Sequence, residues 1–279
     1  MITRTVFVTV RRFFSLLTLG ARTYETRDRI LALYAPVSLV LLPLVWLALV
    51  MIGFAWLFWA SDYGSILESF AASGSSVTTL GSTTINGTVH RLLSFLEAGI
   101  GLLIIALLIT YLPTLYADFL RRETQVTLLE VRAGSPPTAV ELLQRAHRIR
   151  GLSQLGEVFG EWETWFAELE QSHTAFPALT FFRSTQPERS WITAAGTILD
   201  AAALYTSSVE QPREPRADLC IRAGYIALRR ISSFFGAELD WDPAATDPIA
   251  ISRPEFEQAC EALLAAGVPL KADRERAWT

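Results

Sequence analysis

The chain has 279 residues, of which 51% are hydrophobic and only 19% charged, with a formal net charge of −4 at neutral pH. A mean hydropathy of +0.32 on that composition excludes a wholly water-soluble protein, so part of the chain is expected in lipid. Two cysteines, Cys220 and Cys260, exclude a disulfide framework.

Residues 1–30 carry Arg4, Arg11, Arg12, Arg22, Arg27 and Arg29, and the "RR" interruption argues against a signal peptide. Arg11, Ser15, Thr18 and Arg22 recur at helical spacing beside Phe13, Phe14, Leu16 and Leu17, which predicts an interfacial helix lying on the membrane. Two alternatives stay open here: "TVFVTV" alternates as a strand would, and a further helix upstream of Met1 is possible.

From Leu31 to Ala60 thirty positions pass without a charge, and Leu92 to Ala117 forms a second apolar run broken only by Glu97. About 20 helical residues cross the roughly 30 Å hydrocarbon core, so both runs are predicted to span. Arginines crowd the first thirty residues and follow the second run at once as Arg121 and Arg122, whereas the segment between the runs offers only Arg91. Both termini are therefore expected in the cytoplasm, with the chain in the inner (plasma) membrane.

The loop between the spans contains "GSILESFAASGSSVTT", read as a short helix, and then the uncharged "LGSTTINGT". Non-helical backbone at membrane depth is tolerated where it lines a water-filled path, so the expectation is a helix that dips in and a short segment that climbs back. Such a segment offers carbonyl and hydroxyl oxygens to a cation, and the helix's C-terminal end adds partial negative charge. Asp62 and Glu68 are expected to cap the helix or to concentrate cations, and the small residues could instead be a helix-packing surface. In the second run, Glu97 either hydrogen-bonds behind the segment or sits at the outer interface. Gly99 and Gly101 are read as a gating hinge or as packing positions, and Pro113 as a kink near the cytoplasmic end where a gate would lie.

Residues 121–279 change character, with 17 basic against 22 acidic side chains and helix-period apolar spacing. "PPTAVELLQRAHRIRG", "EVFGEWETWFAELEQS", "SWITAAGTILDAAALYTSSV", "RADLCIRAGYIALRRISSFFG" and "SRPEFEQACEALLAAG" predict about five helices packed as a cytoplasmic bundle, the first with its prolines in the opening turn. Trp162, Trp165, Phe166 and Phe176 are read as core. His90, His147 and His173 form no ligand cluster, and nothing looks catalytic, so no enzyme activity, cofactor or resident metal is expected. The basic runs lie in a net acidic region, so no nucleic-acid partner is expected.

The order of span, re-entrant helix, "TTLGSTT" and second span resembles the pore module of two-transmembrane potassium channels, whose usual filter reads TTVGYGD. Laid on that pattern, Thr78, Thr79, Leu80, Gly81, Ser82, Thr83 and Thr84 occupy the seven positions, with Phe70 and Ser73 where many pore helices carry an aromatic and a serine. "YLPTLYADFLRRE" and "RAGSPPTA" also resemble bacterial proteins of that family, and the likeness covers about residues 31–122. It implies an all-α membrane protein: an N-terminal segment over 1–30, a two-span pore domain over 31–122 and a cytoplasmic helical domain over 123–279 whose ligand has no reading. The implied function is conduction of potassium through a homotetramer, with the bilayer and monovalent cations as partners. Ser82 and Thr83 depart from the pattern at the aromatic and the second glycine. A β-branched residue where positive φ is needed is sterically costly, so the outer half of the filter is expected to differ at Thr83 while Thr79, Leu80 and Gly81 keep the inner sites. The alternatives from other classes are a non-conducting membrane anchor presenting the helical domain, and a weakly selective cation channel.

Overall fold

The computed structural model describes residues 2–20, 23–184, 186, 189–237, 240 and 251–278, and the chain divides into two compact units, Met1–Ala117 and Asp118–Thr279. The described residues are helical apart from turns, loops and one isolated bridge between Val209 and Leu270.

In the first unit α1 runs Ile2–Leu17, α2 Tyr24–Ala32, α3 Tyr34–Ala60 and α4 Ile66–Val77, and α5 begins at Thr88 and continues unbroken to Ala133. The "TVFVTV" segment is helix, not strand. Val6, Val10 and Phe14, four residues apart, are buried against Ile30, Leu31, Tyr34, Leu42 and Val45, while Val8, which a strand would place on their side, is exposed. The first helix is thus fastened to the start of α3, an attachment the surface-helix expectation lacked: the Tyr34 hydroxyl donates to the Phe7 carbonyl at 3.3 Å, and Phe14 meets the Tyr34 ring edge-on. Phe13, Leu16 and Leu17 remain exposed, and Arg22 of the expected polar face lies outside the described residues.

Arg29–Ala60 and Thr88–Ala133 are each long and apolar enough to cross a membrane. α4 has 12 residues, about 18 Å at the helical rise, too short to cross, and it packs along α3. Pro43 and Pro113 lie inside α3 and α5, where each leaves a preceding carbonyl without its helical donor.

The second unit contains the rest of α5 with α6 Ala139–Arg148, α7 Leu155–Ala175, α8 Trp191–Ser208, α9 Pro215–Phe234, α10 Arg253–Ala265 and the short α11 Arg274–Trp278. α7 and α8 both lie against α9, closely enough that a Cβ on Gly224 would stand 2.6 Å from Leu199 of α8 and 2.9 Å from Phe166 of α7. Trp162, Trp165 and Phe166 are core, with the two indoles 4.5 Å apart, and Cys220 and Cys260 are buried free thiols. The prolines of "PPTAV" lie ahead of the first turn, not in it: Thr138 is the N-cap of α6 and accepts from the Glu141 N–H. At the other end Arg150, not Gly151, takes the left-handed turn, at φ 57°.

Arg122, on α5, is 3% exposed yet fully used. Its guanidinium donates to the Leu179 carbonyl at 3.0 Å, the Phe182 carbonyl at 2.8 Å and His173 Nε2 at 3.2 Å, and it pairs with Glu123. His173 Nε2 must then be the acceptor, so Nδ1 carries the proton and donates to the Leu169 carbonyl at 2.9 Å. Burial first, and then the Arg122 charge, push His173 down to about 4 against the opposing effect of the Leu169 bond. The turn Pro177–Phe181 and the residue after it are thereby clamped to one turn of α5.

Candidate pore segment

α4 starts from a capping box. Ser65 Oγ accepts the Glu68 N–H at 3.3 Å while the Glu68 carboxylate takes the Ser65 N–H at 2.7 Å, a task that holds Glu68 below the usual carboxylate range. The buried face of this helix is rich in hydroxyls: Ser69, Ser73, Ser75 and Ser76 are buried beside Ala72 and Val77. Ser73 lies at the junction of three helices, where its hydroxyl is 2.8 Å from the Met51 carbonyl of α3 and hydrogen-bonds Glu97 of α5. Ser76 Oγ is 2.8 Å from Ser94 Oγ. Glu97 is fully buried, and its Oε2 has no partner among the described residues.

Of the two glycines expected as hinge or packing positions, Gly101 is a close-packing site, since a Cβ there would overlap the Val77 carbonyl oxygen. Gly99 faces no atom within 4 Å. Phe70 is half-buried on α4, and Pro113 is exposed.

The end of α4 decides the shape of residues 78–83. Thr78 is the C-cap and its hydroxyl turns back to the Gly74 carbonyl at 2.6 Å. Thr79 then takes φ 55°, its N–H bonding the Ser76 carbonyl at 3.0 Å, and the Leu80 N–H bonds the Ser75 carbonyl at 2.9 Å. This is a Schellman ending with threonine where glycine is usual. Gly81 follows at φ 68°, and its N–H lies 3.5 Å from the same Ser75 carbonyl. Ser75 Oγ then accepts the Ser82 N–H at 2.8 Å and the Thr83 N–H at 3.3 Å. The conformational cost expected at Thr83 is therefore not there. It falls on Thr79, because terminating the helix, rather than the outer filter position, demands the left-handed turn.

One consequence is electrostatic. The N–H groups of residues 79–83 are all directed into α4, whereas no hydrogen bond from the described residues reaches the carbonyl oxygens of 78–83. Thr78, Thr79, Leu80 and Gly81 are exposed, at the negative end of the α4 dipole. On the other side, Asp62, Glu68, Ser82, Thr83, Thr84 and His90 line a cleft. His90 bridges the two ends of the loop, with Nε2 2.9 Å from the Ser61 carbonyl and Nδ1 3.0 Å from that of Asn86. Sequence reasoning did not single out Ser75 or Ser94, and it considered His90 only as a metal ligand. Ser75 was findable only as a hydroxyl two residues before a helix end, a weak signal.

No family model and no solved structure matches the chain. Among curated proteins it is similar to one described as the uncharacterized membrane protein YdjJ of Bacillus subtilis (strain 168), with 25% identity over 201 residues, 67% of this chain and 58% of the relative. The match thus spans little more than half of that relative's length. Together with the two helices of spanning length, the similarity supports a membrane protein.

Proposed function

We propose that the chain is one subunit of a homotetrameric cation channel of the inner membrane, both termini cytoplasmic, which conducts potassium along residues 78–83. The observation that carries this reading is the sorting of backbone groups: N–H inward to Ser75 and Ser76, carbonyl oxygens left over at an exposed helix C-terminus. One copy offers a few oxygens, and four around an axis close them into rings able to replace a cation's hydration shell. α3, α4 and the first part of α5 form the re-entrant pore unit, and the Ser73–Glu97 bond ties the short helix to the second span. Pro113 is the proposed gate, and the cytoplasmic unit regulates it through a ligand not yet identified.

A weakly selective pore is the second reading, favoured by the two bonds from Ser82 and Thr83 to Ser75 Oγ, which hold the outer half back against α4. Flux from proteoliposomes under a potassium gradient, repeated with sodium, separates the readings. Potassium flux exceeding sodium flux, with the ratio reduced by Ser75→Ala and flux reduced by Thr79→Ala, supports the first. Equal fluxes support the second. No flux with either ion from an intact tetramer moves the assignment to a membrane anchor.

A further inference from the structure

His90 stands between more acceptors than a neutral imidazole can serve. Its Nε2 lies 2.9 Å from the Ser61 carbonyl oxygen and its Nδ1 3.0 Å from that of Asn86. Both oxygens can only accept, whereas a neutral ring carries one N–H and one lone pair, and only the cation carries two N–H groups. Whichever neutral tautomer forms, one nitrogen lone pair faces a carbonyl oxygen, and that contact must open. In the cation both contacts become charge-assisted hydrogen bonds.

The two carbonyls belong to opposite ends of one loop. Ser61 is the C-cap of α3 and Asn86 lies two residues before α5, so the ring closes a length of chain that includes α4 and residues 78–83. On the returning side three successive carbonyls face side-chain donors: Thr84 the Tyr63 hydroxyl at 3.4 Å, Ile85 Arg91 Nε at 3.2 Å, and Asn86 the His90 ring. Tyrosine and arginine keep their donor protons near neutral pH, so the His90 contact is the conditional one of the three. The ring is also packed in place, edge-on to Tyr63 at 5.2 Å and beside Phe58 at 6.3 Å, and a Cβ on Gly87 would stand 3.1 Å from Nδ1. The charges around it are mixed. Asp62 and Glu68 line the same cleft and attract the cation, although Glu68 is engaged with Ser65, while Arg91 and the positive end of the α5 dipole repel it. α3 brings no charged residue, and Glu97, the next carboxylate on α5, is bonded to Ser73.

We propose that His90 is a proton-operated latch: taking up a second proton fastens the end of α3 to the start of α5, and losing it releases one of the two. Imidazole ordinarily changes charge between about pH 5 and 8, so the latch answers to the acidity of the solution on the loop's side of the membrane. The latch needs only the geometry of this loop, whereas its bearing on ion flow rests on the reading that residues 78–83 conduct. Thr84, the first of the three held carbonyls, adjoins that segment, so release loosens the segment's outer end and reduces flow.

The test is solid-state NMR on the full chain in liposomes, with 15N in the histidine rings and 13C in the backbone carbonyls of serine and asparagine. Asn86 is the only asparagine in the chain, and His90→Gln identifies the His90 signals against those of His147 and His173 by their disappearance. At about pH 5 both His90 nitrogens are expected to be protonated, each with dipolar coupling to a labelled carbonyl; at about pH 8 one nitrogen loses its proton and its coupling falls several-fold. Couplings unchanged while the ring loses its proton would overturn the latch. So would a protonated ring coupled to only one carbonyl, or a ring in the same state at both pH values. Potassium flux from the same liposomes is the second arm. It is expected to be several-fold lower at the higher pH, with most of that difference removed by His90→Gln, and an equal pH dependence in the variant would overturn the control of flow. No flux from the unaltered chain at either pH would count against conduction along residues 78–83, while the spectra still decide the latch.

Discussion

Gly101→Ala tests whether the short helix is held against the second long helix as tightly as the structure has it. The added methyl would overlap the Val77 carbonyl oxygen and lie 3.1 Å from the carbonyl carbon and 3.2 Å from Val77 Cγ2. Two of those three atoms are backbone at the last turn of α4, which cannot swing aside as a side-chain tip would. Overpacking of this kind costs about 1–3 kcal/mol, the upper half applying where backbone must shift. Removing a helical glycine returns about 1 kcal/mol, so the net expectation is a loss of roughly 1–2 kcal/mol. Gly99→Ala is the internal control: it faces open space and should gain up to about 1 kcal/mol from the same propensity term. Reversible unfolding of both variants in mixed micelles gives the two values side by side. A third variant, Gly101→Ala with Val77→Ala, should stay destabilised, because the obstacle is the carbonyl and not the side chain. Equal stability of the two alanine variants, or rescue by Val77→Ala, would refute the backbone contact.

Thr79→Gly relieves a β-branched residue in the left-handed region, which costs roughly 1–2 kcal/mol, against a smaller loss in chain entropy. A net gain of up to about 1 kcal/mol in the same unfolding assay is expected. Ser73→Ala leaves the buried Glu97 without its donor and should cost about 1–3 kcal/mol, whereas Glu97→Gln, which can still pair with Ser73, should cost less than half as much. In the second unit His173 has its folded value lowered to about 4 from the 6.5 of a free imidazole. Its contribution is therefore complete above pH 6.5 and falls away as pH drops toward 4, by roughly 3 kcal/mol at most. His173→Gln should flatten the stability profile across that window, and an unchanged profile would refute the assignment.

The helices were legible wherever one periodicity dominated. The five segments read after the second span correspond to α6–α10 because their apolar residues recur three and four apart. At the N-terminus two periods competed over six residues, and Phe14, just beyond "TVFVTV", settles the matter by extending the Val6–Val10 face one more turn. Helix ends were harder: a left-handed turn at Arg150 or Thr79 carries no glycine to announce it. The Ser73–Glu97 bond joins residues 24 apart, and no local pattern encodes such a pairing. Glu97 could be marked as expensive from its surroundings, but not matched to its partner. The candidate segment was visible as an uncharged hydroxyl run between two spans, while its conformation depends on Ser75, whose role exists only once the chain has folded back on it.

The serine face of α4 has a bearing on biogenesis. Ile66 and Leu67 are exposed while Ser69, Ser73, Ser75 and Ser76 are buried beside Ala72 and Val77, so the helix turns most of its hydroxyls toward protein. Its hydroxyls find Glu97 and Ser94 only on α5, which is synthesised later. Until α5 has left the ribosome, Ser73 and Ser76 of α4 lack their α5 partners. On the proposed re-entrant reading, insertion of the loop is the last event in building this unit, and a chain truncated before Ser94 should leave residues 66–83 open to added protease.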